Sequence, residues 1–92
     1  MIKSFKGKHA EKLWHGQRTK LPSDILRRSL DKLTTINFSQ SLDDLRTPPS
    51  NYLETLHGDR AGQHSIRINQ QWRICFRWAD GHAHDVEITD YH

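Results

Sequence analysis

Arg67 and Arg73 are the first residues whose types and spacing suggest chemistry. They stand in neighbouring stretches where apolar and polar residues alternate. Ile66 and Ile68 alternate with Ser65, Arg67 and Asn69, and Trp72, Ile74, Phe76 and Trp78 with Arg73, Cys75 and Arg77. This period marks antiparallel strands with one covered face. A one-residue slip would turn the apolar face outward, so Ile66 should oppose Ile74 and Ile68 should oppose Trp72, with Asn69-Gln70-Gln71 as the loop. That register sets Arg67 directly opposite Arg73, a like-charge pair that costs several tenths of a kcal/mol. Two readings stay open here. The arginines splay into water with Glu87 balancing them, or they await an anion. A guanidinium fork matches a phosphate, and two of them can clamp a phosphodiester.

The elements that must hold this pair can be read outward from it. Val86 and Ile88 alternate with Asp85, Glu87 and Thr89, giving a further strand. Gly81 in Ala79-Asp80-Gly81 stands where a three-residue hairpin wants a left-handed residue. That loop predicts Ile74 opposite Val86, Trp72 opposite Ile88 and Arg73 opposite Glu87; a neighbouring loop would shift partners but keep the faces. The last strand then returns toward the 69–71 loop and delivers Asp90, Tyr91 and His92 to the arginine end. The start of a strand over Tyr52 to Leu56 belongs at that end too. Gly58 to Gly62 is a loop.

The first half has a different period. Ile2 to Phe5 is a short strand, and His9 to His15 a short helix ended by Gly16. Pro22-Ser23-Asp24 starts a second helix with a proline, a capping hydroxyl and a first-turn acid. Leu26, Leu30, Leu33 and Ile36 follow at helical spacing, with Arg27, Arg28, Asp31 and Lys32 on the other faces. Those basic residues are most simply a solvated face, although they could touch phosphates. Leu42 to Arg46 makes one more helical turn before Thr47-Pro48-Pro49-Ser50 breaks it. Helices followed by a meander define an α+β domain, two N-terminal helices on one face of a curved, mainly antiparallel sheet of four to five strands.

Composition sets bounds. The 92 residues suffice for one domain, read here as residues 1–92. Only 34% are apolar, but they cluster into periodic stretches, so the chain is folded and not disordered. The formal charge of +3 is too small to identify a nucleic-acid partner by itself. Cys75 is the only cysteine, so no disulfide forms within the chain, and its simplest role is packing. No stretch resembles a membrane span or a signal peptide, and a cytoplasmic protein is expected. Trp14 and Trp72 are expected in the core and Trp78 open at a strand end. His64, His82 and His84 lack a Cys or carboxylate to complete a metal site, so no metal is expected.

The stretches Gly58-Asp59-Arg60-Ala61-Gly62-Gln63-His64-Ser65-Ile66-Arg67-Ile68-Asn69 and Gln71-Trp72-Arg73-Ile74-Cys75-Phe76 resemble the HigB branch of the RelE toxin superfamily. So do the ending Val86-Glu87-Ile88-Thr89-Asp90-Tyr91-His92, the opening Met1 to Phe5 and the segment Asp44 to Asn51. The resemblance spans essentially the whole chain. It implies the RelE-like fold, and an endoribonuclease that cuts messenger RNA in the ribosomal decoding site. It also implies a helix-turn-helix, HigA-like antitoxin that represses the shared operon and so links the toxin to operator DNA. No cofactor is implied.

Carried over by residue, the resemblance makes Arg73, Asp90, Tyr91 and His92 catalytic candidates. Glu54, His57, Arg60 and Arg67 are substrate-binding candidates. Glu54 and His57 stand where some members have a His and a Lys near this loop, a departure that leaves any general base from the loop open. Metal-free RNA cleavage uses the substrate's 2′-OH as nucleophile. It needs a proton acceptor, stabilisation of phosphate charge and protonation of the leaving oxygen. A histidine, with an ordinary pKa near ~6.5, can serve as acid or base. Arg73 with Arg67 can stabilise the phosphate. Tyr91 can stack on a base, its phenol being a reluctant base with a free pKa of ~10, and Asp90 can orient His92 or Tyr91. Two alternatives share the fold: a ParE-like toxin that poisons gyrase by protein contact, and an RNA-binding module without catalysis.

Overall fold

A computed structural model describes residues 1–90, and the expectations for Tyr91 and His92 lie outside the described residues. Helices α1 (His9–Trp14) and α2 (Ser23–Phe38) precede a four-stranded antiparallel sheet in the order β1-β2-β3-β4. The strands are β1 (Glu54–Thr55), β2 (His64–Arg67), β3 (Arg73–Ala79) and β4 (His82–Thr89). The opening segment adds a parallel edge to β4 through bridges Ile2–Ala83 and Phe5–Val86. No helix among the described residues is long and apolar enough to cross a membrane.

The central hairpin has the register the apolar residues demand. Ile66 opposes Ile74, and Arg67 opposes Arg73. Asn69 closes the loop, its Oδ1 accepting from the Gln71 and Trp72 amides at 2.8 and 2.7 Å. The β3–β4 hairpin departs from expectation. Its loop is two residues, Asp80 and Gly81, both with positive φ as a type I′ turn requires. That turn pairs Ala79 with His82, a register of the wrong parity for Val86 and Ile88. A bulge restores it, because Asp85 and Val86 together face Phe76, and Asp85 takes φ 52°. Ser4 Oγ accepts from the Asp85 amide at 2.8 Å, so the bulged N–H is not orphaned. Beyond the bulge, Ile74 opposes Ile88, Arg73 opposes Thr89 and Cys75 opposes Glu87. The expected Arg73–Glu87 pairing is therefore replaced by one two residues away.

Other expectations shift by smaller amounts. Helix α2 buries Ile25, Ser29, Leu33 and Ile36, with Leu26 and Leu30 only half-buried. The small Ser29 occupies the centre of the stripe where Leu30 was expected. Ser23 makes no side-chain cap, since Pro22 holds that position. The first strand shortens to Glu54–Thr55, because Tyr52 turns left-handed at φ 47° after a 3₁₀ turn over Pro49–Asn51. Trp78 is partly buried, its ring 6.4 Å from that of Phe76, and not open as expected. Helix and sheet residues share one core that includes Ile25, Leu33, Ile36, Ile66, Ile74, Phe76, Val86 and Ile88.

Candidate active site

The two arginines are opposite in register, yet they are held by different means. Arg73 donates from Nε to Ser65 Oγ at 3.0 Å and from Nη2 to the Tyr52 carbonyl at 3.0 Å. The same Nη2 lies 3.4 Å from Glu54 Oε1. Its side chain is only 11% exposed, whereas that of Glu54 is 52% exposed. Arg67 instead lays its guanidinium over the Tyr52 ring, 4.0 Å from the centroid. Its Nε is buried, with no hydrogen-bond partner among the described residues. The arginines therefore do not splay into water, and Glu87 does not balance them.

Tyr52 makes this division possible. In the left-handed conformation its carbonyl meets Arg73 while its ring meets Arg67. Spacing gave no sign of that role. Ser65 was closer to legible, because the β2–β3 register already sets it opposite Cys75, on the same face as Arg73. Ser65 has no exposed surface, so its bond to Arg73 fixes the root of the guanidinium.

The remaining candidates divide into two groups. Asp90 follows β4 and accepts at 2.8 Å from Nε2 of Gln71, in the loop beside the arginine pair, as the returning strand requires. Glu54 joins Arg73 directly. Arg60 lies elsewhere on the same sheet face, where Nη1 donates to Glu87 Oε1 and Gln63 Oε1, both at 3.1 Å. His57 is exposed at the start of the Gly58–Arg60 turn, and no hydrogen bond or ion pair joins it to Arg73 among the described residues. Tyr91 and His92 lie outside the described residues. Cys75 is buried beneath this face, and burial pushes its thiol up to about 11, so it stays protonated and unreactive at neutral pH.

Arg67 and Tyr52 also line a cleft of about 580 Å³ with Arg28 and Lys32 of α2. Lys32 donates to Oδ1 of the fully buried Asn51, whose amide nitrogen is itself bonded to the Leu45 and Thr47 carbonyls. Burial, and then the charge of Arg28, lowers the Lys32 pKa. The cleft thus continues the cationic character of the arginine pair toward α2. Among the described residues no three His, Cys, Asp or Glu side chains converge as a metal site would require.

An α+β domain that holds two guanidinium groups at one end of its sheet can receive an anion there. The chain belongs to the HigB-like toxins, the RelE-like toxins of type II toxin–antitoxin system HigB, matching the family over residues 3–92. It is 38% identical over 85 residues to Toxin HigB-1 of Vibrio cholerae, covering 90% of each chain. It is 34% identical over 93 residues to Endoribonuclease HigB of Proteus vulgaris, covering the whole of both. The fold is also that of a chain in the YoeB–YefM complex from Staphylococcus aureus, with a TM-score of 0.62 and 18% identity. That match covers 100% of this chain and 98% of the other.

Proposed function

We propose that this toxin is an endoribonuclease that cuts messenger RNA on the ribosome without a metal, through the RNA's own 2′-OH. The observation that carries this reading is Arg73, held almost buried at the sheet end where Asp90 arrives. Its half-exposed partner Glu54 is screened by water and can yield Nη2 to an incoming phosphate. Arg73 then stabilises the charge that builds on the phosphate as the 2′-oxygen attacks. A general base takes the 2′-OH proton as the O2′–P bond forms, and the P–O5′ bond breaks as a general acid protonates the leaving 5′-oxygen, giving a 2′,3′-cyclic phosphate and a 5′-OH. His92 is assigned proton transfer, Tyr91 stacking on a base, and Asp90 their orientation. Arg67 holds a neighbouring phosphate, with Glu54, His57 and Arg60 along the strand's path. The kinship to a protein named an endoribonuclease supports the same assignment.

The rest of the reading follows from the family. The chain is one domain over residues 1–92, with both helices on one face of a curved sheet and the arginine face left for RNA. It acts in the cytoplasm, needs no cofactor, and is neutralised by a HigA-like helix-turn-helix antitoxin that alone contacts operator DNA. A toxin–antitoxin complex among its structural relatives supports an antitoxin partner. The deciding experiment offers purified toxin a defined messenger RNA on programmed ribosomes and maps the 5′-OH ends. Intact message in the presence of folded toxin overturns the reading. RNA bound but uncut then marks a binding module, and trapped gyrase cleavage complexes mark a ParE-like poison.

A further inference from the structure

The net positive charge of the chain is segregated. Six of its fourteen Lys and Arg residues, Lys3, Lys6, Lys8, Lys12, Arg18 and Lys20, fall in the first twenty positions against one acid, Glu11. The rest of the chain has eight basic residues against ten acidic ones. The ion pairs divide the same way. Among the described residues five pairs form, and all use arginines beyond position 20: Arg27, Arg46, Arg60, Arg73 and Arg77. None of the six early cations has a carboxylate partner among the described residues.

The fold gathers four of them. A cleft of about 350 Å³ is lined by Lys8, His9, Lys12, Arg18, Thr19 and Lys20. A hydrogen bond between His9 Nδ1 and Thr19 Oγ1 ties the 17–20 link to α1, so Arg18 and Lys20 are held against Lys8 and Lys12. Lys8 and Lys12 are one helical turn apart, as the Lys12 amide bond to the Lys8 carbonyl shows. Like charges at that spacing destabilise a helix by a few tenths of a kcal/mol. Four cations and no acid around one cleft form a surface that lacks its counter-ion. No Phe, Tyr, Trp or aliphatic residue lines it, whereas protein interfaces favour large aromatic residues at their centre and deplete lysine. A lysine-rich, anchor-free surface fits sequence-blind contact with a phosphate backbone.

We infer that this cleft docks the toxin on structured RNA of the ribosome, separately from the strand cut at Arg73. The inference rests on the ribosome-dependent reading above, and it adds the surface that brings the enzyme to its substrate. Helix α1 packs on α2 and β4, while Arg73 is anchored toward β1 and β2, so the two sites engage different RNA segments.

The test measures binding of the free toxin to vacant bacterial ribosomes across a salt series. The double variant Lys12→Ala/Lys20→Ala is compared with Lys3→Ala/Arg46→Ala, which removes the same charge at exposed positions outside the cleft. Losing two phosphate contacts should reduce the slope of log K against log salt by about 1.4–1.8 and weaken binding at 0.1 M salt roughly 25- to 60-fold. The control should stay close to the native protein. In cleavage assays the half-saturating ribosome concentration should rise with the maximal rate unchanged. An unaltered salt slope in the folded Lys12→Ala/Lys20→Ala variant overturns the inference. So does an unaltered slope with lost antitoxin binding, which would make the cleft a protein interface. Failure of the ribonuclease reading would appear separately, as uncut message with the native toxin, because ribosome binding is read without cleavage.

Discussion

Arg73→Ala probes the site and the fold together. Two repelling arginines in the sequence suggest that removing one costs folding little. The contacts say otherwise. Ser65 Oγ is buried and loses a charged donor, worth about 1.5–3 kcal/mol. The Tyr52 carbonyl can be rehydrated and Glu54 is half exposed, so these two add no more than about 1 kcal/mol. Relief of repulsion from Arg67 returns several tenths of a kcal/mol. The net loss is about 2–3 kcal/mol, or roughly 10–20 °C in the thermal midpoint of a domain this size. Cleavage on programmed ribosomes, measured well below that midpoint, should fall ~10²–10³-fold, the scale for losing one preorganised donor to a developing oxyanion.

Arg73→Lys separates the two effects. An ammonium keeps the charge, but it cannot span Ser65 and Tyr52 with one planar fork. Its stability should lie between the native protein and the alanine variant, with cutting still reduced by ~10-fold or more. Chemical denaturation and message cleavage on the same preparations check both numbers. A midpoint for Arg73→Ala within ~2 °C of native would refute the structural assignment. Full cutting by the folded variant would refute the phosphate role.

His92→Ala should lower cutting ~10²–10⁴-fold if His92 transfers a proton, with melting as the check on folding; full activity would return attention to His57. Chelation should leave the toxin's own step unchanged, measured at matched ribosome integrity because ribosomes need magnesium; lost cutting on intact ribosomes would overturn the metal-free reading. With the Cys75 thiol raised from 9.0 to about 11, the unfolded chain ionises first. Stability should therefore be intact below pH 9 and decline as pH rises toward 11, by up to about 3 kcal/mol, and Cys75→Ala should remove that share in urea titrations at both ends of the window. Asp85 holds φ 52° in the bulge, so Asp85→Ala should be about 1 kcal/mol less stable than Asp85→Gly; equal stability would argue against that backbone conformation.

The legible parts of the fold were those fixed by parity of side chains. Two apolar faces and a short loop permit one β2–β3 register, and the arginine pair came with it. The β3–β4 register was not legible. It depends on two successive positive-φ residues at Asp80 and Gly81, and on a compensating bulge at a non-glycine, Asp85. Faces were read correctly while partners were not, and Glu87 moved from Arg73 to Arg60. The start of α2 was clear from Pro22-Ser23-Asp24, and Leu33 and Ile36 are buried as expected, but in its first half the buried positions are Ile25 and Ser29, one residue before Leu26 and Leu30. Within the site, the approach of Asp90 to the 69–71 loop follows from strand direction alone. The role of Tyr52 does not, because no periodicity announces a single left-handed residue between two elements.

That residue explains how the sheet tolerates a like-charge pair at all. Holding Tyr52 left-handed costs about 1–2 kcal/mol. The conformation turns its carbonyl toward Arg73, a charged hydrogen bond worth about 1.5–3 kcal/mol when well placed. It also sets the ring beneath Arg67, a contact worth about 0.5–2 kcal/mol depending on exposure. Each guanidinium is engaged by a different feature of one residue, so the two charges are fixed without sharing a counter-ion. On the proposed function, an acid between them would occupy the place assigned to a phosphate. The arrangement instead leaves the buried Arg67 Nε without a partner among the described residues, and only a half-exposed carboxylate at Arg73. Both are conditions under which an arriving phosphodiester gains donors already oriented, at the cost of one weak ion pair.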